Sequence, residues 1–373
     1  MKIQCQKSDL LNSVNIVLKA VPVKSTMPIL ECLIIEAKDQ YIKLIANDME
    51  LVIETLVKGA VLENGTVALN AKVFSEIVRR LPENDVFIST DSMADGSFMT
   101  EIICEKAKFS ISGRSGEEFP YLPKIEKENA VVLSQFTLKE VIRQTVFSIS
   151  DNESNKIMTG ELFEIKKNEL RVISLDGHRI SIRKIFMKDE YEDRKVIVPG
   201  KTLNEISKIL SGDASSLVNI FFTDKHALFE FDDTVVLTRL IEGEYYRIDQ
   251  MLSSDYETKV TINKKELQSC IERASLLIRE TDKKPIIIDI RNNNFELKIN
   301  TAIGSMNEDI DITLEGKDIV IGFNPKFLLD ALRVIDDENI DIYLINAKAP
   351  CFIRDKEQSY IYLILPVNIN VVA

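Results

Sequence analysis

The sequence predicts an α+β protein made of one domain repeated three times, and three observations carry that prediction. At 373 residues, 45% hydrophobic and 28% charged, the chain exceeds what one core usually organises, so two or three domains are the default. Segments with apolar residues at helical spacing alternate with short strand-like runs, in the same order three times. The register also repeats: Lys72, Lys201 and Lys326 open the second helix of each copy at intervals of 129 and 125 residues, and Asp9, Glu140 and Glu266 in the first helices lie 131 and 126 apart. Such a period is too long for a solenoid repeat and suits a whole α+β domain.

In chain order, DLLNSVNIVLKAV (9–21) reads as the first helix, followed by strand-like runs ILECLIIEAK (29–38) and YIKLIANDMELVIETLV (41–57). NAKVFSEIVRRL (70–81) is the second helix, and DVFIST, MTEIICEK and AKFSIS read as short strands. The second copy repeats the helices as TLKEVIRQTVFSI (137–149) and GKTLNEISKIL (200–210), the third as KKELQSCIERASLLI (264–278) and NPKFLLDALRVI (324–335). EEFPYL (117–122) and GEYYRI (243–248) close the first two copies as a weaker anchor. Each copy then places two helices on one face of antiparallel strands. KIEKENA (124–130) and SSDYET (253–258) serve as connectors, giving domains 1–124, 125–252 and 253–373.

Composition excludes several classes. No run approaches the ~18 apolar residues of a membrane span, and MKIQCQKSDL has no apolar signal-peptide core, so a cytoplasmic protein without membrane partners is expected. Five cysteines (Cys5, Cys32, Cys104, Cys270, Cys351) show no metal-ligand spacing and read as reduced, mainly core residues.

The net charge of −12 argues against a nucleic-acid partner when taken whole. Counted with Lys7 just before the first and Arg279 just after the fifth, each of the six candidate helices is nevertheless net basic, while the rest of the chain holds the acidic excess. Lys and Arg are good helix formers and often decorate solvent faces; their recurrence at equivalent positions of three copies instead favours one positive surface, with Lys72, Arg79, Arg80, Lys201, Arg273 and Lys326 as candidate phosphate contacts. No aromatic ladder or Arg-rich major-groove helix occurs, so attraction to duplex backbone without base reading is the implied mode.

SLDGHRIS (174–181) looks like chemistry: Asp176, His178 and Arg179 fall within four residues, and His178 is one of two histidines. A metal site would need further ligands, and His226 in FTDKHALFEF sits on a predicted edge strand without partner spacing. No nucleophile elbow and no Gly-rich phosphate loop occurs. No catalytic residue, metal or cofactor is therefore expected, and the stretch reads as a turn in which Asp176-Gly177 reverses the chain. Two other readings stay open on the residues alone: an enzyme using Asp176, His178 and Arg179 in an interdomain cleft, and a protein-only scaffold whose basic helices bind acidic partners.

Eight collinear segments resemble the bacterial DNA polymerase III β subunit, or sliding clamp, family: STMPILECLIIE (25–36), IANDMELVIE (45–54), FSISGRSGEEFP (109–120), VISLDGHRISI (172–182), VIVPGKTLNEI (196–206), LIEGEYYRIDQML (240–252), IGFNPKFLLDAL (321–332) and YLILPVN (362–368). The resemblance implies a DNA clamp fold in which two chains close a ring head to tail, helices line a hole for duplex DNA, and the ring tethers the replicative polymerase without catalysis of its own. It implies a homodimer interface at Phe109 and Ile111 against Leu276 and Leu277. It also implies a pocket for the short peptides carried by the polymerase α subunit, the clamp loader and other partners. Carried over residue by residue, that pocket comprises Met158, Leu175, Gly177, His178, Arg179, Ile180, Tyr246, Met251, Leu363, Ile364, Leu365, Pro366 and Val367, with His178 and Arg179 as rim donors. For DNA, Lys24 takes the place of the family's loop arginine, keeping charge without bidentate geometry, and Asn152 that of a polar contact. The sequence departs from the family at Tyr245-Tyr246, where Phe-Pro is usual, at Gln250, where a basic residue is common, and in the uncharged extension Pro366–Ala373.

Overall fold

A computed structural model of the chain describes residues 1–93, 98–120, 125–252, 255–279 and 284–369. Parts of EEFPYL and of both connectors, and the last four residues of the C-terminal extension, lie outside the described residues. All six predicted helices are present: α1 (Lys7–Val17), α2 (Ala71–Arg80), α3 (Gln135–Thr145), α4 (Gly200–Ile209), α5 (Lys264–Ser275) and α6 (Pro325–Val334). Asparagine caps start three of them. The Oδ1 atoms of Asn70, Asn263 and Asn324 accept from the main-chain N–H of Val73, Lys265 and Lys326, each at 3.0 Å, satisfying donors a helix leaves open. Pro325 adds a preset first turn to α6.

Where the predicted first helices overrun, the last turn has tightened. Leu18–Ala20 and Val146–Ser148 are 3₁₀ turns, and Leu276 and Leu277 donate to Arg273 and Ala274, three residues back. The run 41–57 is two antiparallel strands, Tyr41–Asn47 and Leu51–Val57, because Asp48 Oδ1 accepts from Glu50 N (3.1 Å) and Leu51 N (2.8 Å) and Met49 takes φ 79°. Pro28–Glu31 is a 3₁₀ turn, so the strand predicted over 29–38 begins at Cys32. His226 stands on an interior strand, contrary to expectation: His226–Phe231 is paired with Leu217–Phe222 on one side and Thr234–Arg239 on the other.

Among the described residues the strands form sheets of thirteen, seven and four, and the middle copy is divided between two of them. Its strand Thr234–Arg239 pairs antiparallel with Leu51–Val57 of the first copy, placing Val131–Ser134 and 217–239 in the thirteen-stranded sheet. Its long hairpin, Gly160–Leu175 and Arg179–Pro199, pairs instead with Tyr360–Ile364 of the third copy. The compact units accordingly cut across the repeat: Met1–Leu138 with Glu205–Leu240, and Lys139–Asn204 with Ile241–Ala373. Within the second, Leu267, Ile271, Leu328 and Leu332 of α5 and α6 bury against Ile288, Phe295, Ile353 and Tyr362. All five cysteines are free and buried.

Candidate functional site

The SLDGHRIS hairpin ends at the pair Leu175↔Ile180, leaving Asp176-Gly177-His178 as the turn. Gly177 has φ 90°, and nothing lies within 4 Å of where its Cβ would stand; conformation, rather than space, requires glycine there. Asp176 Oδ1 accepts from the main-chain N–H of His178 (2.9 Å) and Arg179 (3.1 Å), and its Oδ2 accepts from Arg179 Nε (2.9 Å). Its carboxylate is thus committed to the turn and to a guanidinium, an arrangement that builds a turn rather than orienting an imidazole for proton transfer. Among the described residues no group of three His, Cys, Asp or Glu could hold a metal ion, and no helix is long and apolar enough to cross a membrane.

Arg179 is not a rim donor. Only 6% exposed, it donates from Nη1 to Asp330 Oδ2 and from Nη2 to Phe147 O, both at 2.6 Å. Its guanidinium also lies 4.7 Å from the Phe327 ring and 5.4 Å from the Phe147 ring. Phe147, Phe327 and Asp330 are distant in sequence, so local reading could not find them. His178 is exposed, as a rim residue should be, and stacks on Phe327 with ring centroids 5.9 Å apart. Its carbonyl accepts from Leu365 N (2.9 Å), tying the turn to the C-terminal segment.

Beside the turn, Leu175, Ile180 and Leu363 are buried in one apolar cluster with Ile173, Ile248 and Phe352, and Met158 packs against it half-buried. Ile364 does not belong to this face. It lies in the other core with Tyr360 and Tyr362, because successive residues of a strand point to opposite sides. Leu365, Tyr246 and Met251 are exposed, while Pro366 and Val367 are half-buried. Tyr246 Oη accepts from Asn155 Nδ2 at 2.7 Å. Val367 N donates to Gly322 O (2.8 Å), and Ile369 occupies the space a side chain at Gly322 would need, so the extension runs beside strand Ile319–Phe323.

Tyr245, expected only as a repeat anchor and as a departure from the family's usual Phe-Pro, takes a structural place beside this cluster. Its buried hydroxyl donates to Ile173 O (3.2 Å), its ring meets Tyr246 edge-on, and burial drives its titration well above the ordinary tyrosine range.

The candidate phosphate contacts are all exposed, and several also meet carboxylates. Lys24 is exposed after α1, and Lys72, Lys201 and Lys326 are exposed in the first turns of α2, α4 and α6. Arg79 and Arg80 both pair with Glu76, the former at 2.6 Å, and Arg273 donates from Nε to Glu308 Oε2 at 2.9 Å. Asn152 is exposed and its Oδ1 accepts from Ser154 N (3.1 Å). The expectation that every helix is net basic fails for α1, which within its bounds carries Lys7 and Asp9 alone, with Lys7 buried against Glu83. An acid three residues before a base recurs: Glu76–Arg79, Glu140–Arg143 (2.5 Å), Glu205–Lys208 (2.7 Å) and Asp330–Arg333 (3.9 Å).

Phe109 is 39% exposed on strand Ala107–Arg114. That strand pairs with Phe98–Cys104 on one side but meets Gly65–Asn70 only at Gly113 and Arg114, so among the described residues Ala107–Ser112 present an open edge. Ile111 on the same strand is half-buried. Leu276 is 81% exposed, whereas Leu277 packs partly onto the core of its own copy.

Three families match the chain in succession: the DNA polymerase III beta subunit N-terminal domain over residues 1–123, the central domain over 132–246 and the C-terminal domain over 249–368. The chain is 32% identical to the beta sliding clamp of Staphylococcus epidermidis, across 99% of both chains, and equally to that of Staphylococcus aureus. Among solved structures it is similar to a putative DNA polymerase III beta subunit from Eubacterium rectale, 63% identical over 100% of each chain with a TM-score of 0.95. It is also similar to the DNA polymerase sliding clamp of Bacillus subtilis, 34% identical over 99% of each with a TM-score of 0.94.

Proposed function

The chain belongs to the DNA polymerase III beta subunit family, the beta sliding clamps, and from that premise we propose that it closes a homodimeric ring around duplex DNA in the cytoplasm. The family is a processivity factor without catalysis of its own. The three-domain clamp fold extends over the whole chain, and that single observation carries the reading: three helix pairs with their antiparallel sheets recur in family order from residue 1 to residue 368. The domains on this reading are 1–124, 125–252 and 253–373.

Exposed Lys24, Lys72, Lys201 and Lys326, with Arg79, Arg80, Arg273 and Asn152, would meet the phosphate backbone, which carries no sequence information. The open edge of Phe109 and Ile111 would meet Leu276 and Leu277 of a second copy, a heterologous contact that closes when it is made twice. The apolar face of Met158, Leu175, Ile180 and Leu363, with Tyr246, Met251 and Leu365 exposed near it in sequence, would receive a short hydrophobic peptide from the polymerase α subunit, the clamp loader or another partner. A polymerase so tethered rebinds its template before diffusing away, because its effective concentration there is high.

The experiment is topological. After enzymatic loading, the protein should remain on a nicked circular plasmid and leave it once the circle is linearised. Equal retention on both forms would sink the ring.

A further inference from the structure

Arg179 carries a full charge at 6% exposure, and burying a charge is costly unless partners compensate it. Two carboxylates do so from different parts of the chain: Asp176 in the turn at 2.9 Å and Asp330 on α6 at 2.6 Å. Phe147 O takes a third N–H. The planar fork that can satisfy three acceptors while stacking on rings is particular to arginine. Phe327, on the same helix as Asp330, stacks against both the Arg179 guanidinium and the His178 ring. Helix α6 therefore grips the turn through two side chains three residues apart, which lie on one face of a helix. The turn in turn carries the His178 carbonyl that takes Leu365 N, two residues beyond the buried Leu363.

We propose that Asp330 and Phe327 are positioning residues for the peptide site: they clamp Arg179 and His178 from α6 and thereby set the geometry of the turn and of the C-terminal segment joined to it. The proposal deepens the peptide-site reading above and rests on it for its ligand. Neither residue need touch the peptide. Without the Asp330 charge, Arg179 keeps one carboxylate, its fork loosens, and the His178–Leu365 link shifts with it. Sites whose supporting contacts are loosened lose affinity even when every lining residue remains.

The test compares wild type, Asp330→Asn, Asp330→Glu and Phe327→Leu. One readout is calorimetric titration with an acetylated pentapeptide carrying two large apolar side chains. The other is the NMR spectrum of the His178 ring, simplified because the chain has only two histidines. Asp330→Asn should weaken the peptide about five-fold, a size expected for a supporting contact rather than a central anchor, and move the His178 ring signals away from their Phe327-shifted positions. Asp330→Glu should recover most of both effects. Peptide affinity unchanged within two-fold in Asp330→Asn, or unmoved His178 signals, overturns the proposal. If Asp330→Asn does not fold, Phe327→Leu decides by the same two criteria. Failure of wild type to bind the peptide would remove the peptide-site reading, while the His178 signals would still decide whether α6 positions the turn.

Discussion

Asp176 holds Arg179 twice, accepting its main-chain N–H on Oδ1 at 3.1 Å and its side-chain Nε on Oδ2 at 2.9 Å. The two neighbours His178 and Arg179 should therefore respond differently to truncation. Arg179→Ala leaves Asp176 and Asp330 without their shared cation and should lower folding stability by about 3 kcal/mol, the scale of breaking a buried pair. His178→Ala, at an exposed ring, should leave stability nearly unchanged and weaken peptide binding by about 1 kcal/mol. Thermal unfolding and calorimetry on both variants check this; equal stability losses would contradict it.

Met158 packs half-buried against the cluster of Leu175, Ile180 and Leu363. Met158→Glu should abolish binding of a hydrophobic peptide, because an unpaired carboxylate at an apolar surface is strongly disfavoured. Retention on circular DNA should be untouched. Undiminished peptide affinity would show that the peptide sits elsewhere.

Leu276 is 81% exposed while Leu277 is partly committed to its own core. Leu276→Glu alone should split a dimer into folded monomers, read as a halved mass by light scattering with an unchanged melting temperature. Leu277→Glu should also lower the melting temperature. A full-mass Leu276→Glu species would argue against this face as the subunit contact.

Glu76 neutralises Arg79 and Arg80, and Glu205 lies 2.7 Å from Lys208. Glu76→Gln with Glu205→Gln should strengthen DNA retention, and Lys24→Glu with Lys201→Glu should weaken it, in each case without sequence preference. For every phosphate newly neutralised or released, the slope of log affinity against log salt should change by about 0.9. A sequence-dependent change would instead indicate base reading.

Glu161 is fully buried, and among the described residues neither carboxyl oxygen has a hydrogen-bond partner. The adjacent Thr145 hydroxyl is already donated to Val141 O at 2.7 Å. Burial pushes the Glu161 carboxyl from its ordinary 4.5 up to about 8. Below the ordinary value both folded and unfolded chains hold the proton. Between there and about 8 only the folded chain does, so stability falls as pH rises and levels off above that. Glu161→Gln should flatten this decline and stabilise the protein at pH 8 relative to pH 5. Parallel stability curves for variant and wild type would refute the assignment.

The sequence by itself determined the three-fold repeat, the six helices, the turn at Asp176-Gly177 and the apolar residues beside it. These are local properties: helical and strand periodicities, asparagine caps and an Asp-Gly turn are written within a few residues of where they act. Tertiary structure alone decided what the charged and alternating residues do. Arg179 became a buried hub because Asp330 and Phe327, some 150 residues downstream, close over it. Ile364 left the face shared by Leu175, Ile180 and Leu363 because pairing of its strand with the SLDGHRIS hairpin selects which alternate residues share a side. Arg273 takes its partner Glu308 from a strand 35 residues away, whereas Arg79 and Arg80 meet Glu76 on their own helix. A guanidinium's role depends on which carboxylates reach it in space, and hydrophobic patterning, which selects the fold, leaves that choice to the packing.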